Sequence, residues 1–328
     1  LPVLVTCGVA IAYGLGTLLQ QAAERMRSSR VVSGVALALV ALLVPAAALL
    51  DGWRAQDASR RFFTEDYARN VLRQLPPNAI YFTVGDNDTF PILYMQAVEG
   101  IRPDVQLVNV SLANAPEYIA GLRRVDPAFP LSMTREQQRA AVRGPWTDTV
   151  VTLPVSGTST QLAMRADSLV PGEIVLHPKP QYGPNMIPSE IVLLDLIRTN
   201  AWKRPLTFAI TASEGLGWLQ PFARLDGLFW RVVPERDPPT DAELLRGNLA
   251  GNQYRGYADA SVVIGDVSRT IGGTYFIAFD ALLAAEGRHG INGQRCRAEK
   301  SSFQAAVPLR RVVVSPEAIE TFMSRCPN

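Results

Sequence analysis

The apolar positions divide the chain into two regions. Residues 1–19 and 31–50 are apolar runs without a charged residue. Each has about the 20 residues that a helix needs to cross roughly 30 Å of hydrocarbon. Between them, residues 20–30 carry Arg25, Arg27 and Arg30 against Glu24. A signal peptide would place its basic segment ahead of one apolar run, whereas here the basic segment lies between two. The pattern predicts two transmembrane helices, 1–19 and 31–50, in preference to a pair of buried core helices. The positive-inside bias puts the short link in the cytoplasm and residues 51–328 outside it. The chain opens on Leu1 rather than Met, as a processed or cut chain would.

From residue 51 the pattern alternates between helical and strand periods. Residues 53–74 place Phe63, Tyr67 and Val71 on one face and Arg60, Asp66, Arg69 and Arg73 on the other, as a surface helix does. Pro76-Pro77-Asn78 ends that helix. Residues 79–84 (AIYFTV) form a short β-rich run stopped by Gly85-Asp86-Asn87-Asp88. Asp88 or Thr89 then caps a helix through Glu99, with Pro91 in its first turn and Gly100 past its end. A strand over 105–112 and a helix over 115–123 follow, so the region opens with a βαβ unit.

Beyond it the pattern gives a polar helix near 134–142, a strand over 149–154, and loops at 156–160 and 177–188. A helix over 190–199, capped by Ser189, precedes a parallel-type strand at 206–211 and a further one at 228–233. Residues 236–239 read as a linker, 241–287 as helical and 309–314 as strand-like. The fold class expected is α/β: two N-terminal transmembrane helices (1–50), a Rossmann-like extracytoplasmic α/β domain (51–235) and a mostly helical C-terminal extension (236–328).

Composition narrows the function. The chain has 328 residues, 48% hydrophobic and 19% charged, with net charge +2. It is too apolar for a disordered chain, and it lacks the basic surplus of a nucleic-acid binder. Three Cys and two His leave little for a zinc site. His177 and His289 have no second ligand at metal spacing and read as surface residues. No GxSxG elbow or GxGxxG fingerprint is present.

Three stretches carry a family resemblance: GDNDTFPILYMQAVEGIRPDVQLVNVSL (85–112), LLDLIRTNAWKRPLTFA (193–209) and LQPFARLDGLFWRVVPE (219–235). They resemble a family of large bacterial membrane proteins with a GT-C-type glycosyltransferase module. That family is similar to protein O-mannosyltransferases and includes an animal plexin O-mannosyltransferase. The resemblance covers most of 51–235 and continues weakly beyond it. It implies a polyprenyl-phosphate sugar donor, a polypeptide or glycan acceptor and contact with the lipid bilayer through the parent protein, in a bacterial inner membrane. It also implies that this chain is the C-terminal part, positioning acceptor or donor. The acidic catalytic residue of such enzymes lies in an early external loop that has no counterpart here, so no catalytic residue is carried over. A non-catalytic membrane-anchored interaction module, or a sugar- or metal-binding module, is the alternative.

Three groups of residues are candidates for chemistry. Asp86, Asn87 and Asp88 stand after the first strand, where ligands bind in open α/β sheets. With Ser111 and Asn114 they form an expected polar pocket suited to sugar hydroxyls or, through Asp86 and Asp88, a divalent cation. The competing reading gives both Asp to turn and cap chemistry, and Asn114 to the N-cap of the next helix. Trp202, Lys203 and Arg204 read either as a sugar platform with two anion contacts or as a helix stop completed by Pro205. Cys296 and Cys326 are expected to pair, since a disulfide persists outside the cytoplasm. Cys7, in the first apolar run, is expected to be inert.

Overall fold

The computed structural model describes residues 10, 12–14, 16–18, 20–21, 24, 30–140, 150–181, 183–288 and 293–326. The chain forms two compact units, Leu1–Ser59 and Arg60–Asn328. The first contains helix α1 (Arg30–Gln56). Among the described residues no helix is long and apolar enough to cross a membrane, which corrects the expectation of two transmembrane helices. Helix α1 starts at Arg30 and does not stop with the apolar run but continues through Asp51 and Arg54 to Gln56. Most of 1–19, Cys7 included, lies outside the described residues, as do Tyr182 and His289.

The second unit is mixed α/β. Helix α2 (Phe63–Gln74) leads to β1 (Ile80–Thr83), α3 (Asp86–Ala97) and β2 (Gln106–Asn109). Helices α4 (Pro116–Val125) and α5 (Arg135–Ala140) precede a two-stranded antiparallel ribbon of β3 (Val151–Pro154) and β4 (Glu173–Leu176). Helix α6 (Pro188–Asn200) returns the chain to β5 (Leu206–Ala209), and β6 (Ala223–Leu225) and β7 (Phe229–Val232) complete the main sheet. Five helices follow: α7 (Ala242–Leu249), α8 (Asp266–Arg288), α9 (Gly293–Ala306), α10 (Leu309–Val312) and α11 (Pro316–Ser324).

Among the described residues the main sheet has the order β2-β1-β5-β7-β6. β1 runs parallel to both β2 and β5, with Ile80 opposite Gln106 and Leu206. β7 is antiparallel to β5 and β6. All of β1 is buried, as a central strand covered on both faces is. Its side chains alternate between two cores. Ile80 and Phe82 join Val108, Phe208 and the apolar face of α6, with Phe82 stacked on Phe208 at 4.5 Å between ring centroids. Tyr81 faces a second core built from α2, α3 and the C-terminal helices.

Three local results differ from the pattern. The helix expected over 53–74 is two elements, α1 ending at Gln56 and α2 starting at Phe63. Residues 309–312 of the strand-like run are helical: the run follows Pro308, and Leu309 and Val312 turn together into the core. β6 was not singled out, because three residues are too few to show a period.

Polar contacts hold the helices to the sheet. The Arg102 guanidinium donates to the carbonyls of Leu72, Leu75 and Pro76 at 2.7, 2.8 and 3.0 Å, satisfying the end of α2. Asp104 fixes it from behind at 2.8 Å, and that hydrogen-bonded cation holds the Asp104 carboxyl down at about 2. Arg246 on α7 meets Glu243 at 2.6 Å, Glu299 on α9 at 2.7 Å, and the buried Glu286 on α8. Cys296, inside α9, is joined by a disulfide to Cys326 after α11, with a Cα–Cα distance of 5.7 Å. The bridge closes a loop of sequence separation 30, for which chain entropy gives about 3.5 kcal/mol. The Cys296→Ser/Cys326→Ser double variant is expected to unfold in urea with stability lower by about that amount. A midpoint equal to wild type would contradict the assignment.

Candidate functional site

The three parallel strands end at one edge of the sheet. From β1 the chain crosses to β2 on one side and later returns to β5 on the other. The crevice outside the carboxyl ends of these strands is therefore a topological switch point, where open α/β sheets bind ligands. Residues 84–88, 110–114 and 210–218 meet there.

A buried network sets the shape of this edge. Asn109, at the end of β2, donates through Nδ2 to Thr89 Oγ1 at 2.8 Å and to the Val84 carbonyl at 3.2 Å. Its Oδ1 accepts from Leu112 N at 2.9 Å. Thr89 Oγ1 also lies 2.7 Å from Thr83 Oγ1 and donates to the Gly85 carbonyl. One side chain thereby ties the turn after β1, the start of α3 and the turn after β2 together. Ser111 Oγ adds a bond to the Val84 carbonyl at 3.1 Å.

Asp88 lies behind this edge. It is buried, and its Oδ2 accepts from Thr211 Oγ1 at 2.6 Å and from Val84 N at 3.4 Å. Burial raises its pKa above the ordinary carboxylate value, against the lowering effect of the Thr211 hydroxyl and the nearby backbone amides. Asp88 thus orients Thr211, in the segment that follows β5.

Thr211, Ser111, Asn114, Glu190 and Trp218 line a cavity of about 100 Å³ at the crevice. Asn114 Oδ1 accepts from Ser189 N at 3.1 Å, and the Glu190 carboxylate accepts from Gln181 N and Ile187 N, both at 2.8 Å. These bonds pin the Pro-rich loop against the edge. Trp218 and Gln181 also line a second cavity, of about 460 Å³, together with His177, Lys179 and Arg236. No carboxylate is among the described residues lining it. Gly217 has φ +40°, and a Cβ there would lie 2.5 Å from Gln181 Nε2, so glycine permits the close approach of the two loops. The arrangement offers hydroxyl and amide partners on one side of an indole and three basic side chains on the other.

The expected residues divide. Ser111 and Asn114 line the crevice, and Asp88 stands one hydrogen bond behind it. Asp86 and Asn87 are exposed in the first turn of α3 and line none of these cavities. Gly85 holds the N-cap position of that helix, and Asp88 and Thr89 fall inside it. Ala115 rather than Asn114 occupies the N-cap of α4. Trp202, Lys203 and Arg204 lie at the opposite, amino-terminal end of β5. Ala201 caps α6 in the left-handed conformation, Trp202 Nε1 donates to the Pro154 carbonyl, and Arg204 pairs with Asp126 at 2.5 Å. Asn200 closes the helix through its bonds to Arg204, and the Trp202 and Arg204 side chains tie the turn to β3 and to the end of α4.

The donor set does not fit a divalent cation. Such an ion takes six or more oxygens; here Asp86 is exposed, Asp88 is engaged by Thr211, and among the described residues no group of three or more His, Cys, Asp or Glu is placed to hold a metal. Thr211, Trp218, Glu190, Lys179 and Arg236 were not singled out from sequence. Thr211 and Trp218 follow the third parallel-type strand as GDND follows the first, and that parallel was the available signal.

The raised pKa of Asp88 gives a signed prediction. The folded state holds that proton more tightly than the unfolded chain, so the contribution is full below the ordinary carboxylate value and is lost as pH rises through the folded value. Asp88→Asn keeps an acceptor for Thr211 without the charge. The unfolding free energy of the variant minus that of wild type is expected to climb from pH 4 upward and then level off. A difference that is flat or falls with pH would contradict the burial argument.

No curated protein and no solved structure matches the chain. The family described as TMEM260-associated domain 2 matches residues 64–146 and 159–248, more than half of the chain. The two matched segments contain β1, β2, β5 and the loops that form the crevice. The chain belongs to the TMEM260-associated domain 2 family.

Proposed function

We propose that this chain is the substrate-positioning part of a GT-C-type glycosyltransferase of the protein O-mannosyltransferase kind, acting outside the cytoplasm of a bacterial cell. The name of its family ties it to TMEM260, an O-mannosyltransferase, and the Cys296–Cys326 disulfide suits an oxidising compartment. The observation that carries the reading is the meeting, at Trp218, of a polar cavity and a basic one. A glycosyl phosphate, the headgroup of a polyprenyl-phosphate sugar, has the matching pieces. Its hydroxyls suit Ser111, Asn114 and Thr211, and its ring suits the flat indole, apolar on its face and a donor at its edge. Its phosphate suits Lys179 and Arg236 as charge-assisted partners. The reading assigns binding and orientation to this chain and bond breaking to the rest of the enzyme.

Transfer of labelled sugar from a polyprenyl-phosphate donor by the whole glycosyltransferase tests it. Both Lys179 and Arg236 are exposed, so Lys179→Ala/Arg236→Ala leaves the fold intact. That variant is expected to raise the donor KM by about five- to tenfold, the effect of roughly 1–1.4 kcal/mol of lost contact, with kcat little changed. An unchanged KM at matched stability would sink the reading. No transfer by the wild type would favour the second reading, a non-catalytic interaction module. That reading draws on a separate feature, the apolar groove beside β2.

A further inference from the structure

β2 is an edge strand, and its outer side is closed in an unusual way. Among the described residues its strand partner is β1 alone. Gln106 N and Val110 N donate to the Ala79 and Thr83 carbonyls at 2.9 and 2.7 Å. In a parallel ladder, alternate residues face alternate sides, so Leu107, Asn109 and the Val105 carbonyl face outward, while the Val105 amide bonds the Arg102 carbonyl. Side chains meet those groups where another strand would otherwise sit. Gln96 Nε2 donates to the Val105 carbonyl at 2.7 Å and Gln106 Nε2 to the Leu107 carbonyl at 3.1 Å. Asn109 N donates to Tyr118 Oη at 2.8 Å.

These three side chains also line a groove. Gln96, Gln106 and Tyr118 form part of the wall of a cavity of about 730 Å³ between α3 and α4. The rest of the wall is largely apolar, with Phe90, Leu93 and Leu112 exposed at 53%, 46% and 46%. Arg124 is the one charged residue among the described residues that line it. Natural edges are commonly blunted by Lys, Pro or a bulge. This one is covered by two side-chain amides and a phenol, whose hydrogen bonds an incoming strand would replace with backbone ones.

We propose that the outer edge of β2 docks an extended polypeptide segment as an added strand, with Gln96, Gln106 and Tyr118 swinging out and alternate apolar side chains of the segment entering the groove. The backbone chemistry selects this occupant. Only an extended chain offers amide and carbonyl groups at the spacing of Val105, Leu107 and Asn109. An acyl chain or an amphipathic helix fills the groove and leaves the edge groups as they are. The near absence of charge in the wall favours a segment of low net charge. The inference does not rest on the glycosyl phosphate reading, since it uses none of those residues.

The test selects a phage-displayed random heptapeptide library on the full chain, then synthesises the enriched peptide with and without N-methyl groups on alternate backbone amides. Methylation of one alternate set is expected to weaken binding at least about tenfold, the loss of roughly 1.4 kcal/mol, and methylation of the other set to change it little. Leu93→Glu, at an exposed position, is expected to abolish binding with an unchanged thermal melt; Phe90→Asp serves if that variant does not fold. The Leu107 and Asn109 amides are expected to gain hydrogen-exchange protection on binding. The proposal is overturned if no peptide is enriched, if Leu93→Glu binds as wild type does, or if methylation has no effect at any position. It is also overturned if vesicles of phosphatidylethanolamine and phosphatidylglycerol bind through Leu93 while no peptide does.

Discussion

The carboxamide of Asn109 is the constraint on which the working edge of this fold depends. It is buried at the end of β2 and bonds to Val84 and Thr89, 25 and 20 residues earlier, and to Leu112 on its own turn. A buried amide left unsatisfied costs about 1–3 kcal/mol, so the turn after β1, the first turn of α3 and the turn after β2 adopt one arrangement or lose those bonds together. With Thr83 and Thr89 it forms a small hydrogen-bonded network in which each member orients the next. The crevice exists because this network holds the carboxyl ends of β1 and β2 in register while β5 arrives from the other side.

The sheet divides the second unit into two faces with different duties. On one, α6 and the β3–β4 ribbon close over Ile80, Phe82 and Phe208 and bring the Pro-rich loop back to the crevice through Glu190. On the other, the C-terminal helices pack on α2 through an aromatic cluster that includes Phe63, Tyr257 and Tyr275. Asp66, buried on α2, receives Arg255 at 2.5 Å, and Asn70 donates to Tyr275 Oη at 2.8 Å. Residues 236–328 therefore belong to the core of the α/β unit rather than forming an appendage to it. The disulfide and the Arg246 hub fasten helices whose own faces are only partly apolar.

Much of this was readable from the sequence where a period was long enough to show. The βαβ opening, α6 and the strand before the GLGW segment follow from apolar spacing and from Gly and Pro punctuation. β7, expected as a further parallel-type strand, runs antiparallel to β5 and β6; its direction was not readable, because parallel and antiparallel strands share the same alternation. The helix α10 was misread because a β-branched apolar run (VVV) in four to six residues has no decidable period. At the site, Ser111 and Asn114 were found from their place after a strand. Asp88 was found for its charge, yet it acts through Thr211. Trp202 and Arg204 were found as residue types, while their side chains are engaged by the Pro154 carbonyl and Asp126 at the other end of the sheet from the crevice. Lys179, Arg236 and Trp218 come together only through tertiary packing, held by the contact of Gln181 with Gly217, which no local pattern records.

The proposed binding of a glycosyl phosphate in the carboxyl-end crevice, against Trp218, can be measured on the protein itself. The most direct measurement is an NMR titration of the protein carrying ¹⁵N-labelled tryptophan, with mannose 1-phosphate compared against mannose and inorganic phosphate alone. The account predicts a saturable shift of the Trp218 indole signal, assigned with Trp218→Phe, that is larger for mannose 1-phosphate than for either part. The other tryptophan signals are expected to stay in place. A Trp218 signal that does not move, or shifts confined to Trp202, would contradict it.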